Sequence, residues 1–376
     1  MRRDGRVSLP RCFMASLCMS VGMAAALGAG AATAAAPPLT REVLADGVYL
    51  FRANSDFDYW TATNSVVIVG DDDVTVFDSH TRAATAQLVI AEIRKLTDKP
   101  VRTLINSHWH MDHWGGNDAY AKAFPGLQIV ATAESRDFMS RMGGRYFAEQ
   151  SGAARARAAL DAAIQSGKLA DGTPLTAELR AKKEQRLAEQ TAFADEILAT
   201  PRVLPNVAYR DELTLWRGKR ELRLMSATGD ASGATVLYLP AEKVLVTGDV
   251  LVSPEDGQGP PPWTTNSYAV TPWLESLREL AALDAAVVVP GQGPAFRDKA
   301  YLQATADLFA AIIAQVHAAL ARGLVTLPEV TAAVDVDAIG RRYPSADGSL
   351  EEFHSLVGRL VKKAHQEALD GAAGAG

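Results

Sequence analysis

Cysteine is nearly missing from this sequence: the 376 residues contain two, Cys12 and Cys18. Both fall in an N-terminal stretch that reads as an export signal. Arg2, Arg3, Arg6 and Arg11 precede an apolar run over about 12–27, and small residues fill 28–36. Basic residues, a short apolar run and then small residues are the order of a secretory signal peptide. Ala32-Thr33-Ala34 offers small side chains at the two positions a signal peptidase reads, and Pro37 disfavours cleavage directly before it. Maturation is therefore expected near Ala34, giving a signal peptide over 1–34 and an exported, periplasmic or secreted, protein. An uncleaved anchor is the alternative, although a spanning helix needs about 20 apolar residues. A chain matured there has no cysteine, which excludes disulfides, thiolate metal ligands and a cysteine nucleophile.

An excess of positive charge is missing too. The formal net charge is -6, and removing 1–34 takes away four Arg and one Asp, so the mature value is -9. Such a chain is poorly matched to a phosphate backbone, and nucleic acid is not an expected partner. No segment after the N-terminal run reads as a membrane span, so no stable membrane insertion is expected after cleavage. With 48% hydrophobic and 22% charged residues the composition is that of a globular protein. A small-molecule substrate is the expected partner, and the oligomeric state leaves no mark on the sequence.

Strand patterns cover 48–52, 65–69 and 74–77, with a turn at Gly70-Asp71-Asp72-Asp73. Val89, Ile93 and Leu96 recur at helical spacing within 81–96, and Asp98 and Pro100 stop that helix. A further strand covers 101–106. A second β-rich stretch follows at 213–216, 221–225, 235–239 and 244–247, then a helix at 273–283 and a strand at 286–289. Two β-rich halves, each followed by helices, predict an α/β fold: a four-layer αβ/βα sandwich over 42–297. Between the halves, about 134–200 is a helical insertion broken at Ala170-Asp171-Gly172-Thr173-Pro174. Its charged second part, with the spaced pair Glu178 and Lys182, reads as a solvated hairpin. Phe138, Met142, Tyr146 and Phe147 leave a lid or a dimerisation arm as the alternative. Two long helical patterns fill a C-terminal region over 298–370.

Histidine is scarce, yet of the seven in the chain, His108, His110 and His113 fall within six residues, directly after a strand. On a non-helical loop, residues two apart project to the same side. His108 and His110 can then grip one metal while Asp112 and His113 turn to a second position. Gly115 and Gly116 permit the tight turn around the ions. His80 is a further candidate, as a substitute ligand or proton donor. His317, His354 and His365 read as surface or packing residues. Trp109, Trp114, Trp263 and Tyr268 are candidates to line a cleft, with core packing as the alternative for the last two, and Gly259-Pro260-Pro261-Pro262 reads as a loop at its rim.

The run Ser107-His108-Trp109-His110-Met111-Asp112-His113-Trp114-Gly115-Gly116-Asn117 closely resembles the signature of the metallo-β-lactamase superfamily. Asp78 at a strand end, Leu237-Tyr238-Leu239-Pro240 before Thr247-Gly248-Asp249, and Val289-Pro290-Gly291-Gln292-Gly293-Pro294 occur in the family's order. The resemblance covers about 48–294. It implies the αβ/βα sandwich and a metal-dependent hydrolase holding zinc, as one or two ions, with Asp249 bridging two positions. It also exposes two departures. Asp230 stands in Thr228-Gly229-Asp230-Ala231-Ser232-Gly233 where the family has histidine, and Gln292 replaces a second histidine. The resemblance thus implies one position held by His108 and His110, with Asp230 as third candidate. The other is held by Asp112 and His113, with Gln292 as candidate. For Asp230 and Gln292, hydrogen bonding to a ligand is the alternative. Oxygen donors in place of imidazole shift the preference toward manganese or iron. The implied chemistry is hydrolysis of an ester, amide, lactone or phosphoester by a metal-activated water, with Asp112 orienting the water and accepting its proton. The rival expectations are a non-catalytic exported binding protein with a degenerate metal site and an oxygen-reducing or sulfur-oxidising iron enzyme on the same fold.

Overall fold

A computed structural model describes residues 39–53, 63–254, 257, 269–340 and 350–374. The expected signal peptide over 1–34, the Gly259 to Pro262 loop, Trp263 and Tyr268 lie outside the described residues. Seven strands form the first sheet in sequence order: β1 (Leu39–Ala45), β2 (Val48–Ala53), β3 (Asn64–Val69), β4 (Val74–Phe77), β5 (Val101–Ile105), β6 (Gln128–Thr132) and β7 (Val207–Tyr209). β1 to β4 are an antiparallel meander, and β4 to β7 run parallel. The second sheet contains β8 (Glu212–Arg217), β9 (Arg220–Ala227), β10 (Ala234–Leu239), β11 (Val244–Gly248) and β12 (Val287–Pro290), in the order β12-β11-β10-β9-β8. Only β11 and β12 pair parallel within it.

Side chains alternate across a strand, so each sheet fills two layers. In β3, Val66 and Ile68 meet Leu237, Leu239 and Val246 of the opposite sheet. Val67, between them, turns outward onto Val89 and Ile93 of α1 (Ala83–Leu96). In β10, Leu237 and Leu239 face inward while Val236 and Tyr238 face the outer helices. Burial on both faces explains why these strands are continuous apolar runs rather than alternating ones. The result is the expected αβ/βα sandwich. Three strands were not anticipated, β1, β6 and β7.

Two short helices, α2 (Met111–Trp114) and α3 (Asn117–Ala123), follow β5. Between β6 and β7 lie α4 (Ala133–Gln150), α5 (Ala153–Ser166) and α6 (Ala177–Ala199). Thr176 caps α6, its hydroxyl accepting from the Leu179 amide at 3.2 Å. This region is not wholly solvated: Met139, Leu160, Leu187 and Ile197 are buried.

Outside the second sheet lie α7 (Val270–Ala282), α8 (Ala300–Ala321), α9 (Leu327–Ala333), α10 (Val336–Gly340) and α11 (Leu350–Gly374). α8 corrects one expectation, since with a mean hydropathy of 1.5 it is long and apolar enough to cross a membrane by length and composition. Its apolarity has a packing use here. Leu302, Phe309, Ile312 and Val316 are buried in one cluster with Val236, Leu245, Val288 and Trp273, beneath Leu356 and Val361 of α11.

Candidate metal centre

The chain leaves β5 and bends through His108 to His110, with His110 at φ -67° and ψ 134° as the residue before α2. The ring nitrogens of His108 and His110 nevertheless come within 4.8 Å of each other. Asp112 and His113 instead sit on the single turn of α2. The two glycines after it are set by close approach. A Cβ on Gly115 would lie 2.0 Å from the Thr81 carbonyl oxygen, and one on Gly116 2.1 Å from that of Ser79.

Side chains from distant strands hold this loop in place. Asp78, buried at the end of β4 with φ +62°, accepts the Ser107 amide at 2.7 Å through Oδ1 and meets His113 Nδ1 at 2.7 Å through Oδ2. That contact orients the ring so that Nε2 faces the centre. Ser107 Oγ lies 3.0 Å from His108 Nδ1 and does the same for that ring. The carboxamides of Asn106 and Asn117 pair reciprocally at 3.0 and 2.9 Å, and Ser79 Oγ donates to Asn117 Oδ1 at 2.9 Å. Asp78 was visible in the sequence at a strand end in the family-like order, whereas Ser79 and Asn106 carried no signal of their own, because they work through partners that only the fold brings to them. Ser107 and Asn117 were visible only as members of the family-like run.

Asp249 follows β11 and reaches the centre from the second sheet. Its Oδ1 lies 3.4 Å from His113 Nε2 and its Oδ2 3.8 Å from His108 Nε2. Ligand atoms of His108, His110 and Asp249 all lie within 4.8 Å of one another, as do those of Asp112, His113 and Asp249. Asp249 is common to both groups. Asp230 stands outside them, at the β9–β10 bend, with its carboxylate 3.6 Å from His110 Nδ1 and its amide donating to the Asp249 carbonyl at 3.2 Å. Gln292 donates from Nε2 to Asp112 Oδ2 at 3.1 Å. Its neighbour Gly291 tolerates no side chain, since a Cβ there would lie 1.9 Å from Asp249 Oδ1.

His108 Nε2 and both carboxylate oxygens of Asp249 are buried with no hydrogen-bond partner. Buried acceptors are normally satisfied, and a divalent cation satisfies such a set. The electrostatics agree. Burial, then the neighbouring His113 and His110, push His108 well below the ordinary imidazole range, leaving a neutral ring with a free lone pair. Burial raises the Asp249 pKa, and the carboxylates of Asp112 and Asp230 push the same way against the opposing pull of His113. Burial would lower His113, but Asp249, Asp112 and Asp78 outweigh it and hold the ring well above its usual range. The residues present therefore fit a metal, with most of the negative charge gathered around Asp249.

His80 joins neither group. It is buried at φ +64°, with Nδ1 3.2 Å from Thr63 Oγ1, whose hydroxyl donates to the Asp112 carbonyl at 2.9 Å. Trp109 and Trp114 are not cleft residues either: they are 2% and 1% exposed and pack with Met139 and Ile197 under the inserted helices. The side chains of His110 and Asp112 are each 11% exposed, more than the other grouped ligands, so these two mark the mouth of the site. Of the C-terminal histidines, His365 packs with Nε2 2.8 Å from the Val325 carbonyl, while His317 and His354 are exposed.

A family model described as the metallo-beta-lactamase superfamily matches residues 58–292. A curated relative, the linear primary-alkylsulfatase of Pseudomonas sp. (strain ATCC 19151), is 26% identical over 315 residues, which is 80% of this chain and 54% of the relative. The chain thus spans about half the length of that relative. Among solved structures, a metallo-beta-lactamase from Pontibacter korlensis aligns with TM-score 0.48 and 16% identity, covering 73% of this chain and 99% of its own. One from Hirschia baltica aligns with TM-score 0.47 and 17% identity, covering 72% and 98%.

Proposed function

Since the chain belongs to the metallo-beta-lactamase superfamily, we propose that it is a metal-dependent hydrolase of small ester substrates, with alkyl sulfate esters as the first class to test and zinc as the metal. The observation that carries the reading is the buried Asp249 carboxylate, shared by two ligand groups and without a hydrogen-bond partner. The sulfate ester enters from the alkylsulfatase relative, and carboxylic esters, amides, lactones and phosphoesters are the other candidates.

His108, His110 and Asp249 would hold a divalent metal, which would supply a water acidified to a pKa of about 7 and a Lewis acid for the scissile oxygen. The chain's own residues do the rest. Asp112 stands at the mouth as a carboxylate: burial raises its pKa, but His113 at 3.1 Å and His110 outweigh burial and hold it below the usual range. It can orient an incoming water and accept its proton. Asp78 fixes the ring of His113, which keeps Asp112 aimed.

The test is turnover of a primary alkyl sulfate, a carboxylic ester, a phosphodiester and a β-lactam by the zinc-loaded chain, beside His110→Ala. Sulfate ester hydrolysis that falls more than about 100-fold in the variant is expected. Inactivity on all four after supply of zinc, manganese and iron would sink the reading. We also propose export, with cleavage near Ala34. N-terminal sequencing of the periplasmic or secreted protein checks this, and an intact Met1 there would refute it.

A further inference from the structure

The two ligand groups share Asp249 but are not equally free to hold an ion. At the first, the Asp230 carboxylate stands beside His110 at 3.6 Å. His108 Nε2 at the first and His113 Nε2 at the second are both buried without a hydrogen-bond partner, as is Gln292 Oε1, so the difference between the groups lies in Asp112. At the second, Asp112 Oδ2 is already engaged. The Gln292 amide donates to it at 3.1 Å, and His113 Nε2 approaches it from another side at 3.1 Å. Gln292 is 1% exposed. Its backbone is also pinned, because Asn64 Nδ2 donates to the carbonyls on either side, Pro290 at 2.7 Å and Gly293 at 2.9 Å. A carboxamide nitrogen has no lone pair to give a metal, whereas it is a good donor to a carboxylate. To offer its oxygen instead, the amide must turn over and withdraw its N–H from Asp112.

We propose that the chain holds one metal ion, in the group of His108, His110 and Asp249, and that the Gln292 amide replaces the second ion by anchoring Asp112. Gln292 is then a positioning residue. The inference rests on the metallohydrolase reading, and the experiment separates the two.

Full-length mature chain, its Gln292→His and Gln292→Leu variants, and His110→Ala are loaded with excess zinc and desalted. Bound zinc is then counted by inductively coupled plasma mass spectrometry and native mass spectrometry, with circular dichroism to check folding. One zinc per wild-type chain, two in Gln292→His, one in Gln292→Leu and none in His110→Ala are expected. Two zinc ions in the wild type, falling to one in Gln292→Leu, would make the Gln292 oxygen a ligand and overturn the proposal. A folded Gln292→His that still holds one ion would overturn it as well. If that variant fails to fold, the wild-type and leucine counts still decide. No zinc in a folded wild type would overturn this inference, and a wild type that binds neither zinc, manganese nor iron would overturn the metallohydrolase reading with it. Two ions in the wild type would overturn this inference alone.

Discussion

At the scale of single residues, His80 shows what burial near the centre costs. Burial, with nearby His113, lowers its pKa from 6.5 to about 3, so the folded chain keeps it neutral. Below about pH 6.5 the unfolded chain takes up a proton that the folded chain refuses. The stability this group permits is present above that value and is lost as pH falls toward 3. The slope is about 1.4 kcal/mol per pH unit. Urea unfolding at about pH 7 and about pH 5 should show the loss in the wild type and a smaller one in His80→Gln. Equal pH dependence in both would assign the effect to another group. Gly291 carries a different constraint. Gly291→Ala should cost zinc affinity and activity, because the new methyl would occupy the space of Asp249 Oδ1; an unaltered zinc Kd would contradict this contact. The grouped ligands were legible because four of them fall in one short run and Asp249 stands in a family-like one. Thr63, Asn64 and Asn106 were not, because polar residues of those types are common and only the fold brings them to the loop.

At the scale of elements, the inserted helices are tied to the histidine loop. Arg82, next to the Thr81 that Gly115 packs against, forms a two-pronged ion pair with Glu196 of α6 and lies 5.8 Å above the Phe193 ring. The two side chains are 15% and 30% exposed. A double-mutant cycle on Arg82→Ala and Glu196→Ala should therefore give a coupling of about 1 kcal/mol in urea unfolding. A coupling of zero would mean that the pair is incidental. Beneath it, Met139 is fully buried among Trp109, Trp114 and Ile197. Met139→Ala should cost about 2–5 kcal/mol by the same measurement, and a cost below 1 kcal/mol would mean that the site relaxes freely. Most elements were legible from apolar runs and helical spacing. β7, only three residues long, is too short for any periodicity. α6 misled because its charges outnumber the apolar positions that pack, Leu187, Ala194 and Ile197.

At the scale of the whole molecule, the region over 298–370 read as a change of pattern, yet its helices complete the fourth layer of the sandwich. Phe309 and Ile312 of α8 share a core with Leu245 and Val288 of the second sheet. A chain ending after Arg297 should lose cooperative unfolding and aggregate, and a soluble truncation with a sharp Tm would show the layer to be dispensable. The centre itself spans both sheets. His108 and His110 extend from β5 of one, and Asp249 follows β11 of the other. An ion touching all three is a rivet across the sandwich, closing a long loop of chain that hydrophobic packing alone must otherwise hold. Pulled by its ends in an optical trap, the loaded chain should yield at a higher force than the chelated one, with the extra length released when the rivet breaks marking the loop from His110 to Asp249.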